Sequence, residues 1–163
     1  MRADGADSMD IDIEELKAGW CGRPFDEVSF EVDPREMVEF AIACGETQPR
    51  FTDPTHPDFQ AVPSYTSRFH GRRAMPEDFP IQSHQGFDAG KCVEVHGPLR
   101  PGDRVIARSE IHDIYQKTGR SGGMLFIVHR MRFSNQREEL ISIVDWKLVQ
   151  NQVSRKALRE PGQ

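Results

Sequence analysis

Arg104-Val105-Ile106-Ala107-Arg108-Ser109-Glu110-Ile111-His112-Asp113-Ile114-Tyr115 alternates residue by residue. Val105, Ala107, Ser109, Ile111 and Asp113 fall on one side of an extended chain, and Ile106, Arg108, Glu110, His112 and Ile114 on the other. Successive side chains of a strand point to opposite faces, so this stretch reads as a strand. Met124 to Ser134 and Glu139 to Val149 read as two more long strands. Lys117-Thr118-Gly119-Arg120-Ser121-Gly122-Gly123 is a glycine-rich hairpin tip between the first two, and Asn135-Gln136-Arg137-Glu138 is a second turn. Connections this short join antiparallel neighbours, because a parallel crossover needs about a dozen residues or more. The three strands are therefore expected to form a meander.

Working outward, Lys91 to His96 reads as a strand that enters the meander through the turn-rich Gly97-Pro98-Leu99-Arg100-Pro101-Gly102-Asp103. Phe25 to Val32 reads as a further short strand, with Phe25, Val28, Phe30 and Val32 apolar among acidic neighbours. Asp33-Pro34-Arg35-Glu36 then opens a helix: Asp33 suits the N-cap, Pro34 the first helical position, and Glu36 completes a capping-box-like pattern. Met37, Val38, Phe40, Ala41, Ile42 and Cys44 follow at helical spacing until Gly45, which predicts a helix over 34–44. Pro49, Pro54, Pro57 and Pro63 mark a long loop over 45–63, with a turn of helix expected near 57–60. Loops of this length inside a compact domain are commonly functional. A second helix is expected over 63–73, carrying Tyr65 and Phe69, and 74–89 is expected to be irregular. Helices first and strands later argue for an α+β fold with helix packed on one face of an antiparallel sheet. The domain is expected to span 20–150, between an acidic N-terminal tail at 1–19 and a polar C-terminal tail at 151–163. Ile11, Ile13, Leu16 and Trp20 offer a short amphipathic start at the end of that first tail.

At 163 residues the chain has the length of one domain, and 37% hydrophobic content in this pattern is too much for a chain disordered throughout. No apolar run approaches the ~18 residues that a membrane-spanning helix needs, so no membrane partner is expected. The acidic N-terminus has no apolar core of a secretory signal, and a cytoplasmic protein is expected. A net charge of -5 disfavours a nucleic-acid partner, whose unspecific binding rests on phosphate neutralisation. Cys21, Cys44 and Cys92 are odd in number and widely spaced, which suggests reduced thiols. The histidines are His56, His70, His84, His96, His112 and His129; none pairs with another at ligand spacing on the predicted helix, so no metal site is expected. His112 and His129 lie on strands and read as sheet-surface or hydrogen-bonded residues. The glycines at 119–123 lack the Gly-Lys-Ser/Thr ending of a phosphate loop, and no Gly-x-Ser-x-Gly elbow is present.

The proline-rich loop carries a resemblance. Gly45-Glu46-Thr47-Gln48-Pro49-Arg50-Phe51-Thr52-Asp53 resembles, at the same spacing, the Gly-Asp-x-Asn-Pro-x-His-x-Asp motif of the MaoC-like dehydratases and (R)-specific enoyl-CoA hydratases. Val62-Pro63-Ser64-Tyr65-Thr66 is similar to that family's Ala-Pro-Pro-Thr approach to a central helix. His96-Gly97-Pro98-Leu99-Arg100-Pro101-Gly102-Asp103 resembles its His-Arg-Pro-Leu-Arg-x-Gly-Asp turn, and Tyr115 to Phe126 with Phe133 to Gln136 resemble its last strands. The resemblance covers roughly 20–150 and is similar to the N-terminal-half branch, akin to the dehydratase region of fatty-acid synthase. It implies a single hot-dog fold, an antiparallel sheet wrapped around a central helix. It further implies an acyl-CoA thioester as substrate or ligand, no cofactor, and a hot-dog homo-oligomer or a heteromer with a catalytic MaoC-like subunit.

In that family the motif Asp and His act on a water and on the α-proton of a thioester. Glu46 and Phe51 hold those positions here, and a phenyl ring transfers no proton. A second register, Pro54-Thr55-His56-Pro57-Asp58, restores a histidine at His56 but places Phe51 where the acid belongs. Gln48, Arg50, Asp53, Arg100 and Arg120 are the candidate substrate-binding residues, with Arg72, Arg73, Arg104 and Lys117 as further cations near loops. Arginine matches phosphate by bidentate contacts. The expected function is a catalytically degenerate acyl-CoA-binding subunit that pairs with an active hot-dog partner. The alternatives are a self-sufficient hydratase using Glu46 with a histidine such as His56 or His84, a hot-dog acyl-CoA thioesterase, and a non-enzymatic acyl-CoA-binding module. The irregular 74–89 in place of more central helix implies a wide cavity and a large acyl group, such as a steroid or an aromatic acyl.

Overall fold

A computed structural model describes residues 12–69, 75–76, 78–81, 86–119 and 122–151. The strands are β1 (Pro24–Glu31), β2 (Phe87–Val95), β3 (Arg104–Gly119), β4 (Gly122–Ser134) and β5 (Leu140–Asn151). They form one sheet in the order β1-β3-β4-β5-β2, and every pairing is antiparallel. The expected meander is β3-β4-β5. β2 starts at Phe87, inside the stretch expected to be irregular, and a register shift between Asp88 and Lys91 bends it. Gly90 absorbs that bend at φ +96°, a conformation that glycine adopts without steric cost.

Along β3 the inward residues are Val105, Ala107, Ser109 and Ile111, as the alternation predicts, but the next is Ile114 and not Asp113. Ile111 pairs with His129 and Asp113 with Val128, so His112 is an extra residue. One extra residue inverts which side chains face the core, which is why the predicted phase fails beyond Ile111.

Among the described residues, three helices and a 3-10 turn accompany the sheet. α1 (Ile13–Trp20) is capped by the Asp12 carboxylate, which accepts from the amides of Glu14 and Glu15. Ile13, Leu16 and Trp20 pack against the sheet, so a packed helix occupies the end of the stretch expected to be a tail. α2 (Pro34–Ala43) is capped by Asp33, whose carboxylate accepts from Arg35 N at 2.8 Å. α3 (Pro49–Thr52) is one turn, with Pro49 at its first position. The helical turn of the loop thus sits at 49–52 and not at 57–60, where proline fixes φ at a helix start. Of the helix expected over 63–73, residues 70–73 lie outside the described residues, and the described part holds a 3-10 turn over Tyr65–Arg68. Phe69 leaves it in an extended conformation, φ -76° and ψ 135°. Its ring stacks on Phe30 at 4.5 Å and meets Tyr65 edge-on at 5.5 Å, contacts that further helix would withdraw.

Two apolar clusters cover the inner face. The first joins Met37 and Ala41 of α2, Phe51 of α3, Tyr65 and Phe69 to Val105, Met131, Phe133 and Val144 of the sheet. The second joins Phe79 and Ile81 to Ile111, Ile114, Ile127 and Leu148, with Trp20 edge-on to Phe79 at 5.2 Å. The outer face carries cross-strand ion pairs: Arg108 with Glu27 at 2.7 Å, Arg130 with Asp145 at 2.7 Å, and Arg132 with Glu110 at 3.8 Å. Among the described residues no helix is long and apolar enough to cross a membrane.

Candidate functional site

The motif loop, the 3-10 turn, the Gly97–Arg100 turn and the start of β5 enclose a groove of about 330 Å³. Backbone bonds hold these segments together: Gln60 N donates to Arg50 O at 3.0 Å, and Ala61 N to Leu99 O at 2.9 Å. The Gly97–Arg100 turn is braced from inside by Asp103. Its buried carboxylate accepts from Arg100 N at 2.9 Å and from Gln136 Nε2 at 3.2 Å.

Three of the predicted site residues line this groove: Arg50, Phe51 and Arg100. Both arginines are exposed. The Arg50 guanidinium lies 4.6 Å from the Phe51 ring centroid, a cation–π contact. Phe51 itself is buried in the first cluster, so the position where the family motif has histidine is a core position here.

The other predicted residues serve the loop. The Glu46 carboxylate accepts from Gln48 N at 2.9 Å and from Thr47 N at 2.8 Å. These bonds, that to Gln48 foremost, hold its pKa below the ordinary range, the reverse of a base poised near neutrality. Gln48 precedes α3 as its N-cap, but its side chain makes no capping bond. The Asp53 carboxylate accepts from the Thr55 hydroxyl at 2.7 Å and from Thr55 N at 2.9 Å, and its pKa is lowered chiefly by that hydroxyl bond. His56 Nδ1 accepts from Asp58 N at 3.1 Å. Glu46, Gln48, Asp53 and His56 are not among the groove's lining residues. Arg104 donates its backbone N–H to Gln136 Oε1, and Lys117 sits over the stacked rings of Tyr115 and Phe126. Arg120, Arg72, Arg73, His70 and His84 lie outside the described residues.

Several features escape a reading of the sequence. His112 is exposed, but His129 is buried on the inner face, between the rings of Phe25 at 5.2 Å and Trp146 at 6.1 Å. Tyr65 lines the groove, and its hydroxyl accepts from Arg68, which also pairs with Glu36 at 2.9 Å. Burial pushes the Tyr65 phenol pKa up, so it stays neutral. Thr66 and Ser142 also line the groove, both buried, and Ser142 Oγ donates to Thr66 Oγ1 at 2.7 Å. The one signal for this pair is a serine at 142 inside the apolar run Leu140 to Val144. Among the described residues that line the groove, none carries a carboxylate, an imidazole or a thiol. Cationic groups, apolar walls and hydroxyls can hold an anion with an apolar body. They provide no group that exchanges a proton readily near neutral pH.

A family model described as "FAS1-like, dehydratase domain region" matches residues 19–144. No curated protein matches the chain. Solved structures do. The MaoC-like dehydratase from Rhodospirillum rubrum is 20% identical with a TM-score of 0.58, over 87% of this chain and 94% of that one. The ChsH1-ChsH2 complex from Mycobacterium tuberculosis is 17% identical with a TM-score of 0.61, over 93% of this chain and 95% of that one. The C-terminally truncated HadBC (3R-hydroxyacyl-ACP dehydratase) complex from the same organism is 20% identical with a TM-score of 0.56, over 78% of this chain and 96% of that one. At these identities the likeness shows the shared fold, the hot-dog. With a family model spanning most of its length, the chain belongs to the FAS1-like dehydratase region family, with the hot-dog fold of the MaoC-like dehydratases.

Proposed function

We propose that this chain is a catalytically degenerate hot-dog subunit of a hydratase or dehydratase, which binds part of an acyl-CoA and pairs with a partner that supplies the acid and the histidine. The observation that carries this reading is Phe51, a core side chain in the groove wall at the position of the motif's histidine. Arg50 and Arg100 are the candidate contacts for the CoA phosphates. The shortness of the 3-10 turn, which ends at Arg68 with Phe69 extended, supports a bulky acyl group.

Pairing has support of two kinds. ChsH1-ChsH2 and HadBC, both similar in fold, are complexes. β2 is an edge strand that exposes Phe87 and Val95, and an open edge favours a second strand alongside it. Free Cys21, Cys44 and Cys92 fit a reducing compartment, the cytoplasm.

The test is hydration of crotonyl-CoA and of bulkier enoyl-CoAs by the chain alone and co-expressed with a MaoC-like partner. The expected result is turnover only with the partner, and loss of co-purification in Phe87→Lys. Hydration by the lone chain that disappears in Glu46→Gln would overturn the reading, and thiol release would replace it with a thioesterase.

A further inference from the structure

Two hydroxyls carry two hydrogens. The Thr66 and Ser142 hydroxyls share one hydrogen bond at 2.7 Å, which uses one of the two hydrogens, and the other has no acceptor among the described residues. Thr66 is 3% exposed and Ser142 1%, so bulk water gives this donor little compensation. A buried hydroxyl hydrogen without an acceptor costs free energy, and a ligand oxygen that reaches it recovers that cost. Thr66 and Ser142 both line the groove, whose walls beside them are apolar: Ala61, Val62, Leu99 and Ile141. Arg50 and Arg100, both exposed, stand at the groove's mouth.

We infer that the Thr66 hydroxyl, oriented by Ser142, is the groove's hydrogen-bond donor to a carbonyl oxygen of the bound ligand. The inference deepens the acyl-CoA reading and rests on it for the ligand's identity. The geometry is directional. Ser142 comes from β5 and Thr66 from the 3-10 turn, so the bond between them joins sheet and turn and fixes the positions of both oxygens, leaving the spare O–H to turn toward a ligand. A shape-based pocket would take an alkyl chain and a carbonyl-bearing chain alike, whereas this one discriminates in favour of the carbonyl. In an acyl thioester the acceptor is either the thioester carbonyl or an amide carbonyl of the pantetheine arm. The chemistry is the same, and the probes below separate the two.

The experiment uses the full chain, with methyl-labelled Ala61, Val62, Leu99 and Ile141 observed by NMR during titration. The probes are S-butyryl-N-acetylcysteamine, its thioether counterpart S-butyl-N-acetylcysteamine, which keeps the amide but lacks the thioester carbonyl, and butyryl-CoA. Thr66→Val keeps the shape and removes the hydroxyl, and it is expected to weaken the thioester about 3- to 10-fold, the worth of one net hydrogen bond. Thr66→Ser is expected to restore wild-type binding. Weakening of the thioester alone identifies the thioester carbonyl as acceptor, and equal weakening of both fragments identifies the amide. Thr66→Ala serves the same comparison if the valine variant fails to fold. Wild-type affinity for both fragments in the hydroxyl-free variant would overturn the inference, as would groove methyls that neither fragment shifts in the wild type. Butyryl-CoA that binds no more tightly than the fragment, with the Thr66 effect intact, would instead defeat the acyl-CoA reading and leave the donor in place.

Discussion

The motif loop and the groove floor use polar groups in opposite ways. In the loop, Glu46 accepts two backbone N–H bonds, Asp53 accepts two bonds from Thr55, and the His56 ring accepts from Asp58. Each group closes a turn within three residues of itself, on a largely exposed surface. On the floor, two hydroxyls from segments 76 residues apart meet in a buried place and leave one hydrogen over. Local bonds stabilise a loop and leave its side chains little capacity for a ligand. Long-range buried bonds fix a donor in space, as recognition requires. Polar residues that resemble a family motif can thus be structural, while the hydroxyl inferred to face the ligand sits outside the Gly45–Asp53 motif.

The comparison can be broken most forcefully at Phe51, the apolar member of the motif. Phe51→Ala is expected to destabilise the fold by about 3–5 kcal/mol, measured by chemical denaturation, because it empties a core site. Phe51→His is expected to give no hydration by the lone chain, since Glu46 remains tied to its own turn. Hydration by that variant would mean that the loop is a dormant active site. Next in size is the effect of Thr66→Val on thioester affinity, about 3- to 10-fold. His56→Ala is expected to cost roughly 0.5–1 kcal/mol and to leave ligand binding unchanged, as the loss of one exposed turn bond should. The subtlest effect is the pH dependence of Glu46. Its folded pKa is depressed, so its stabilising contribution is complete above the ordinary glutamate value of ~4.3 and is lost as pH falls through the lower folded value. A stability difference between wild type and Glu46→Ala near neutrality should therefore vanish in acid. A carboxyl titration midpoint raised towards neutrality would instead mark a general base.

The sequence was legible where one physical rule acted alone. Period-two alternation located β3, the short turns after it set off β4 and β5, and Asp33-Pro34 with Gly45 delimited α2 to within a residue. It misled where a long-range contact overrode a local preference. The His112 bulge depends on the partner strand β4, and the early end of the 3-10 turn depends on Phe30, far away in sequence. Of the candidate site, the motif spacing placed Arg50 and Phe51 and the turn motif placed Arg100, all of them in the groove. Glu46 and His56 were legible as residue types but not as turn braces, because hydrogen-bond partners are not encoded in spacing. Thr66 was legible only as part of the Val62–Thr66 resemblance, and its bond to Ser142 not at all, because the two lie 76 residues apart.

The two rims of the sheet are chemically unlike. β1 begins at Pro24 and carries Asp26, Glu27 and Glu31, whereas β2 sets Lys91 between Asp88 and Glu94 and exposes Phe87 and Val95. A neighbour laid along the first rim with another copy of itself would meet like charge. Along the second, the exposed apolar area of Phe87 and Val95 would be covered. Addition at a single rim is self-limiting: one neighbour occupies it, and the sheet then ends on both sides in acid and proline. The unlike rims argue against an endless ribbon, the hazard of any exposed strand.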